Sequence, residues 1–261
     1  MIPKVVRVKS ADTISFVHIT DTHLLNHAEE TFHQLNTKES LKAVLSDSQA
    51  RYPDIDFFLF TGDISQTGTA ESYTLFKSVI QEYDLPVYCV PGNHDTPKLL
   101  QQVIPVSPAS SINTIELGRF SLVLLNSWVD DKHHGRVTQR CLQQLEVHLK
   151  NNADQFNVIA IHHPPVLVNS KWLDELSLQN QTEFLRIINK YSQTTLLICG
   201  HVHQEVDQQL DELRLLATPS TCHQYKANSE YMCRVDMPLP AYRYVRLSIK
   251  NNIDTKVHYV E

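Results

Sequence analysis

Residues 56–63 read DFFLFTGD, an unbroken apolar run that ends in a Gly-Asp pair. A short apolar run bounded by a turn signal favours a buried β-strand, so Gly62-Asp63 is expected just past the end of a strand. Four other short motifs end apolar, β-prone runs in the same way. They are Asp21-Thr22-His23, Gly92-Asn93-His94-Asp95, His162-His163-Pro164-Pro165 and Gly200-His201-Val202-His203. The sequence therefore predicts polar side chains gathered at the ends of several strands.

Strands alternate with amphipathic helices along the chain, which favours an α/β fold. The predicted strands are Ser15–Thr20, Asp56–Thr61, Val87–Val90, Phe120–Asn126, Val158–Ile161 and Leu196–Cys199, followed by the shorter Arg214–Thr218, Tyr242–Ile249 and Lys256–Val260. The predicted helices are Lys38–Arg51, Ala70–Glu82, Gln139–Lys150 and Thr182–Tyr191. Asn36 with Glu39 resembles a capping box, and Thr138 is the expected N-cap of the third helix. No linker-like break appears, so one domain over residues 1–261 is expected.

Composition and charge disfavour several classes of protein. With a net charge of −6, the chain lacks the basic surplus of a protein whose main partner is nucleic acid. No apolar stretch approaches the length of a membrane span, and residues 1–5 lack the apolar core of a signal peptide. The five cysteines show no C-x-x-C spacing, and Cys89 and Cys199 lie in apolar runs. We therefore expect reduced thiols in a cytoplasmic protein, without nucleic-acid or membrane partners.

Taken singly, the motifs carry little weight. The chain has 14 His, so patterns such as D-x-H and H-x-H arise by chance, and Gly and Asn are common in turns. One such pattern, Asp131-Lys132-His133, lies several residues beyond its nearest predicted strand and is interpreted as a solvated loop. Chance does not explain five motifs that all follow strands, at the rim where open α/β sheets place their sites.

The residue types in these motifs suit two divalent cations. Such cations prefer carboxylate, amide oxygen and imidazole, and a carboxylate can bridge two ions, which suits the lone Asp63. Residues two apart on a strand point to the same side, so Asp21 and His23 are expected to bind one metal together. By the same period, His201 and His203 are expected on one side, near both metals. Two cations roughly 3.5–4 Å apart hold a bridging hydroxide as nucleophile and clamp the phosphoryl oxygens.

The motif set resembles that of the calcineurin-like metallophosphoesterases, whose ligands are distributed as D-x-H, G-D, G-N-H-D/E, H and G-H-x-H. The resemblance implies a four-layer α/β/β/α sandwich, in which two mixed sheets are flanked by helices. It also implies a first metal bound by Asp21, His23, Asp63 and His203. The second metal would be bound by Asp63, Asn93, His162 and His201. The expected ions are divalent or trivalent, iron and manganese foremost, and zinc and cobalt also suit these donors.

The same resemblance implies roles for the residues beside the ligands. His94 matches a histidine that does not bind metal but contacts phosphate and protonates the leaving oxygen, with Asp95 placed to orient it. His162 is chosen as the ligand over His163, because family members with an HHPP sequence use the first position. His163 would then face the core or a partner of the ligands. The expected substrate contacts are His23, Asp63, Asn93, His94 and His203.

Longer segments resemble the bacterial class III 3′,5′-cyclic AMP phosphodiesterases. These segments are residues 35–40, Trp172-Leu173-Asp174, residues 177–180, the run LLATPSTC at 215–222 and the run GHVHQE at 200–205. The resemblance spans residues 14–260. It implies hydrolysis of 3′,5′-cyclic AMP to 5′-AMP, with the bridging hydroxide as nucleophile and His94 as general acid.

Several alternatives remain open at this point. A broader phosphodiesterase or phosphomonoesterase would share the same ligands, and a nuclease would need a basic track. A non-catalytic scaffold with the same fold would be expected to have lost ligands or His94. Trp172 has two interpretations, since it could stack on a purine or help cover the pocket, or it could anchor a long loop. The sequence leaves the oligomeric state open.

Overall fold

Two mixed β-sheets make up the centre of the computed structural model, which describes residues 8–250 and 252–261. The first sheet has five strands in the order β11-β10-β1-β2-β3 and the second has six in the order β4-β5-β6-β7-β9-β8. The strands are β1 Thr13–Ile19, β2 Phe57–Thr61, β3 Val87–Val90, β4 Asn113–Leu117, β5 Phe120–Leu124, β6 Phe156–Ala160, β7 Thr194–Cys199, β8 Val206–Leu210, β9 Leu213–Ala217, β10 Ala241–Ser248 and β11 Asn252–Tyr259. The expected lack of a signal peptide concerns residues 1–5, which lie outside the described residues.

Helices follow most of the parallel strands. They are α1 Thr37–Arg51, α2 Ala70–Ile80, α3 Pro97–Val103, α4 Gln139–Asn151, the one-turn α5 Lys171–Asp174 and α6 Gln181–Ile188. The side chain of Asn36 accepts a hydrogen bond from the Glu39 amide at the start of α1, and that of Thr138 accepts one from the Cys141 amide at the start of α4. Both caps were predicted from sequence and are confirmed.

Three apolar cores hold these elements in four layers. Phe16 of β1 and Leu122 of β5 lie in the core between the two sheets. Val44 of α1 packs on the outer face of the first sheet, and Leu145 of α4 and Phe184 of α6 pack on the outer face of the second. Because neighbouring strand residues point to opposite faces, each buried strand serves two cores at once. The predicted four-layer α/β/β/α sandwich is confirmed.

The sequence patterns missed the strands β4 and β8 and the short helices α3 and α5. Strands β4 and β8 are the edge strands of the second sheet, and Val206 is the one buried residue of β8. Strand β11 starts at Asn252, earlier than predicted, because β10 pairs with it along its whole length. Edge strands are half exposed, so their apolar pattern is too weak to identify them. No helix within the described residues is both long and apolar enough to cross a membrane.

The register of the parallel strands aligns their carboxyl ends. In the first sheet Ile19 pairs with Phe60, and Thr61 pairs with Val90. In the second sheet Ala160 pairs with Ile198. The residues that follow these strands therefore leave the two sheets at the same edge, where the site lies.

Candidate metal centre

The five motifs meet at the carboxyl edge of both sheets. The Asp21 amide donates to the Gly62 carbonyl at 3.0 Å, the His23 amide to the Asp63 carbonyl at 2.9 Å, and the Gly200 amide to the His162 carbonyl at 3.0 Å. These bonds join motifs that are far apart in sequence. The site is thus built by strand ends that hold one another.

Strand alternation was expected to point Asp21 and His23 to one side, and likewise His201 and His203. That expectation was wrong. Asp21, His23 and Asp63 have φ angles of 53°, 46° and 47°, and His201 and His203 have φ angles of 71° and 51°. All five residues lie past their strands in the left-handed region, so the two-residue period of a strand does not orient them. Such backbone is uncommon for residues other than glycine and clusters at functional sites. Turns, rather than strand alternation, aim these side chains.

Two glycines let the strand ends approach closely. Gly62 has a φ of 94°, and a Cβ atom there would lie 2.7 Å from the Gly92 amide nitrogen and against the ring of His162. A Cβ atom at Gly200 would lie 2.7 Å from the Thr61 carbonyl oxygen. Any side chain at these positions would push the motifs apart. Gly62 and Gly200 therefore allow the strand ends to pack closely around the site.

Four donor atoms form a first set. His23 Nε2 lies 3.2 Å from His203 Nε2 and 3.8 Å from Asp63 Oδ2. His203 Nε2 lies 3.5 Å from Asp21 Oδ1. Ligands at about 2.0–2.2 Å from one ion stand about 3.0–3.6 Å apart, so this set has the dimensions of a metal site.

Four donor atoms form a second set around His162. Its Nε2 atom lies 3.1 Å from Asn93 Oδ1, 3.2 Å from His201 Nδ1 and 3.6 Å from Asp63 Oδ2. Asp63 Oδ2 thus belongs to both sets. The structure brings together all seven side chains that the resemblance assigned to metals.

The hydrogen bonds behind the imidazoles test whether these residues fit metal ions. His162 Nδ1 donates to the Thr61 carbonyl and His203 Nδ1 to the His223 carbonyl, both at 2.6 Å. Because a carbonyl oxygen only accepts, the proton of each neutral ring stays on Nδ1, and the Nε2 lone pair faces the donor set. His201 turns Nδ1 to its set instead, and its buried Nε2 atom has no hydrogen-bond partner in the part of the chain that the structure describes.

The charges of the site also favour bound metal ions. Burial lowers the pKa of His23 to about 4 and that of His201 to about 3, so both rings stay neutral and keep a lone pair. Burial and the nearby Asp63 raise the pKa of Asp21 well above its usual range. Among the described residues, no Lys or Arg side chain pairs with the close, buried carboxyl groups of Asp21 and Asp63. The seven residues therefore fit two bound metal ions.

His94 lies beside the donor sets, with a ring nitrogen within 4.8 Å of donor atoms of His23 and Asp63. Its amide donates to Asp63 Oδ1 at 2.9 Å, and its Nδ1 atom donates to the Gln66 carbonyl at 3.0 Å. The ring therefore has only Nε2 free to act on a ligand. His94 also lines a cavity of about 280 Å³ together with five of the seven donor residues, His23, Asp63, Asn93, His201 and His203.

The predicted contact between Asp95 and the His94 ring is corrected by the structure. The Asp95 carboxylate accepts hydrogen bonds from the amides of Ile64, Ser65 and Gly92 and from the Tyr73 hydroxyl, at 2.8 to 3.2 Å. A carboxylate with four donors has no lone pair left for an imidazole. Asp95 instead braces the turns that carry Asp63 and His94, and the Gln66 carbonyl orients the His94 ring.

Comparison with known proteins agrees with this geometry. The sequence matches the family described as Calcineurin-like phosphoesterase over residues 14–205, a range that contains all five motifs. This chain belongs to the calcineurin-like phosphoesterase family. Family membership makes it a hydrolase of the metallophosphoesterase type.

Curated relatives of this phosphoesterase carry related names. The 3′,5′-cyclic-nucleotide phosphodiesterase of Nostoc sp. is 34% identical, over 95% of this chain and 92% of the relative. The 3′,5′-cyclic adenosine monophosphate phosphodiesterase CpdA of Vibrio vulnificus is 34% identical, over 95% of this chain and 90% of the relative. CpdA of Escherichia coli K12 is 31% identical, over 94% of this chain and 89% of the relative.

Solved structures support the fold of the phosphoesterase. A dimetal phosphatase from Danio rerio has a TM-score of 0.67 at 12% identity, covering 96% of this chain and 100% of that chain. A purple acid phosphatase from yellow lupin has a TM-score of 0.66 at 14% identity, covering 97% of this chain and 52% of that chain. At such low identity the likeness concerns the fold alone.

Sequence reasoning missed two residues of the phosphoesterase site. Gln66 contacts two histidines, because its carbonyl accepts from His94 and its side-chain oxygen accepts from His23 Nδ1 at 2.7 Å. His133 lies in a segment that was interpreted as a solvated loop. It is exposed, as expected, but its Nδ1 atom lies 3.3 Å from Asn93 Nδ2 and it lines the cavity. The position of this loop after β5, at the same sheet edge, was the usable signal.

His163 explains how that loop is held. Its Nδ1 atom lies 2.8 Å from Ser127 Oγ, and its Nε2 atom donates to the His133 carbonyl at 3.0 Å. Both ring nitrogens are therefore occupied, which favours His162 as the ligand, as the resemblance implied. His163 has the expected role of a buried partner next to the ligands.

Proposed function

We propose that this phosphoesterase hydrolyses 3′,5′-cyclic AMP to 5′-AMP at a dinuclear metal centre. The observation that carries the proposal is the pair of donor sets that share Asp63 Oδ2, with the unliganded His94 beside them. The names of the relatives from Nostoc, Vibrio and Escherichia support a cyclic nucleotide as the substrate.

The metal ions are assigned to the two donor sets. Asp21, His23, Asp63 and His203 would hold the first ion, and Asp63, Asn93, His162 and His201 the second. Iron and manganese are the proposed ions, and zinc and cobalt suit the same nitrogen and oxygen donors. When bound, two such ions lower the pKa of coordinated water and offset the charge on the phosphoryl oxygens.

His94 is the proposed general acid for the leaving group. Expulsion of O3′ gives 5′-AMP, and the departing alkoxide needs a proton as the P–O bond breaks. Since the Gln66 carbonyl holds the Nδ1 proton of His94, the ring delivers its proton from Nε2 and must be doubly protonated beforehand. The bond from the His94 amide to Asp63 fixes the ring relative to the donor sets.

The cavity matches a small phosphodiester. Its volume of about 280 Å³ is near the lower end of ligand pockets, which suits a mononucleotide. The five proposed substrate contacts all line it. They are His23, Asp63, Asn93, His94 and His203.

A substrate panel tests the proposal. Protein reconstituted separately with each metal is assayed with 3′,5′-cyclic AMP, cyclic GMP, 2′,3′-cyclic AMP and bis(p-nitrophenyl) phosphate. We expect 5′-AMP as the product, with a higher kcat/KM for a 3′,5′-cyclic nucleotide than for the other diesters. A preference for 2′,3′-cyclic AMP, or for a phosphomonoester added to the panel, would favour the broader activity. Formation of 3′-AMP would contradict O3′ as the leaving atom.

Two further assignments remain proposals. We propose that residues 1–261 form one metallophosphoesterase domain, which limited proteolysis would test by yielding one resistant fragment. All five cysteines are free, four of them buried, which agrees with a reducing compartment. A cytoplasmic location stays a prediction, to be checked by fractionation of expressing cells.

A further inference from the structure

The wall of the cavity beyond the donor sets is apolar and aromatic. Phe32, Trp172, Leu176, Tyr225 and Met232 line the same 280 Å³ cavity as the metal-binding histidines. They come from three connecting segments that are far apart in sequence, after β1, after β6 (where Trp172 lies in the one-turn α5) and after β9. Neither metal binding nor proton transfer to a leaving oxygen requires an aromatic wall, so the proposed chemistry leaves it unexplained.

Ring contacts place this wall directly beside the first donor set. The rings of His203 and Tyr225 lie 4.8 Å apart, and those of Tyr225 and Trp172 lie 4.7 Å apart at an angle of 82°. The ring of Phe32 stacks on His23 at 5.9 Å. A ligand with a phosphoryl group on the metals would therefore have its remaining part within reach of aromatic faces.

Trp172 packs against the core under the second sheet, but other residues also hold its segment in place. The adjacent Leu173 is 1% exposed and packs in the core under the second sheet, and Asp174 accepts the Val168 amide at 2.7 Å. Trp172 is only half-buried, and its Nε1 atom lacks a hydrogen-bond partner among the described residues. An anchor buried for stability would ordinarily satisfy that donor. Leu173 and Asp174 thus hold the segment independently of Trp172, and Trp172, packed on one side against the core, also lines the cavity.

We propose that Trp172, supported by Tyr225, binds the nucleobase of the substrate by stacking on its face. This inference rests on the proposed function, and it concerns the part of the substrate that does not react. Every base presents a π-face, so stacking is tolerant of base identity. We therefore expect cyclic AMP and cyclic GMP to be hydrolysed with kcat/KM values within about tenfold of each other.

Fluorescence tests the contact without relying on turnover. The chain has two tryptophans, Trp128 and Trp172, and Trp128 is not among the residues that line the cavity. Metal-loaded Trp128→Phe, in which Trp172 is the sole tryptophan, is excited selectively at the tryptophan absorption edge and titrated with 5′-AMP and with ribose 5-phosphate. We expect quenching by 5′-AMP alone, and no such quenching in Trp172→Phe. Equal quenching by both ligands, or quenching that persists in Trp172→Phe, would overturn the assignment.

Steady-state kinetics measures the contribution to substrate binding. Trp172→Ala is expected to raise the KM for cyclic AMP about 5- to 150-fold, which corresponds to about 1–3 kcal/mol of stacking. Its kcat should stay within about threefold, and Trp172→Phe should lie between Trp172→Ala and the parent protein. The 3′,5′-cyclic phosphate of ribose without a base is the matched substrate. If Trp172→Ala impairs that substrate as much as cyclic AMP, Trp172 supports only the loop and the proposal fails.

The outcomes separate this inference from the proposed function. If another phosphodiester proves to be the substrate, the proposed function fails, but 5′-AMP would still quench Trp172 if the stacking site exists. Arg234 also lines the cavity, and its Nη1 atom lies 2.9 Å from His33 Nδ1. A guanidinium can read guanine edge acceptors. A kcat/KM for cyclic GMP more than tenfold above that for cyclic AMP, lost in Arg234→Ala, would therefore show that the base is recognised by its edge. That result would overturn recognition by stacking on the face of the base alone.

Discussion

The cavity has two unlike halves, one built by strand ends and one by loops. Asp63 and His201 follow strands of different sheets, and both are buried, at 2% and 7% exposed. Met232 and Arg234 come from the long loop before β10 and are exposed, with Met232 at 59%. Both halves face the same 280 Å³ space. Donor atoms must be placed within a few tenths of an ångström, and buried strand ends can provide that precision.

The two halves should therefore respond differently to substitution. A changed donor removes charge and hydrogen bonds from a buried network, and the cost appears in metal content and kcat. A changed loop residue alters a surface that touches the unreactive part of the substrate, and the cost appears mainly in KM. The variants below test that division, beginning with the largest expected effect.

Replacement of the shared carboxylate should abolish the centre. Asp63 Oδ2 belongs to both donor sets, and Asp63→Asn removes the negative charge of that carboxylate. Both ions should therefore be lost or loosely held. Metal analysis of the purified variant checks this, together with activity on every phosphoester tested. The exposed Asp131→Asn is the matched control and should keep its metals. Two tightly bound ions with full activity in Asp63→Asn would rule out the shared role.

Removal of the proposed acid should spare the metals and impair the chemistry. His94→Ala is expected to retain both ions and to lose roughly 10²–10⁴-fold in turnover of cyclic AMP, the usual range for a general acid. The loss should shrink for bis(p-nitrophenyl) phosphate, whose leaving group needs little protonation. An equal loss on both substrates would point to positioning of the phosphate instead, and undiminished hydrolysis would remove His94 from the mechanism.

Gln66 belongs to the half of the cavity that is built by strand ends, although none of the five sequence motifs contains it. Gln66→Leu removes the acceptor behind His23 but keeps the backbone carbonyl behind His94. We expect a loss of about 10- to 100-fold in metal affinity, the usual result of removing such a partner. Activity at saturating metal should fall equally on cyclic AMP and bis(p-nitrophenyl) phosphate.

Calorimetric titration of the metal-free variant measures that affinity. Gln81→Leu makes the same change at an exposed position and serves as the control. Unchanged metal affinity in Gln66→Leu would show that the bond to His23 is dispensable.

His133 tests the boundary between the halves, because it is a loop residue that touches a proposed ligand. His133→Ala removes one neutral hydrogen bond to Asn93, worth about 0.5–1.5 kcal/mol, so kcat/KM should fall about 2- to 12-fold. Both metals should remain bound. Lys132→Ala, in the same exposed loop, should be silent. A loss of metal from His133→Ala would show that this loop helps to hold the metal ions, as the strand ends do.

The centre of the fold could be predicted from sequence and its margins could not. Strand β3 and the starts of α2 and α4 were predicted to the residue, because buried strands and capped helices have strong local patterns. The edge strands β4 and β8 were missed, because only neighbouring strands define them. The assignment of Asp95 to His94 failed for a related reason. Adjacency along the chain did not show that amides of Ser65 and Gly92 occupy its carboxylate.

The sequence by itself determined the donor types and their positions after strands, since apolar runs and short motifs are local properties. The four layers and the grouping of Asp21, Asp63 and His162 were implied by the resemblance to a known family, because the apolar pattern alone does not distinguish this sandwich from a doubly wound sheet. Only the tertiary structure decided the left-handed turns that aim the donors, the contacts of Gln66 and His133, and the aromatic wall at Trp172. These features depend on which distant segments meet at one sheet edge, and that meeting is set by packing of the whole chain.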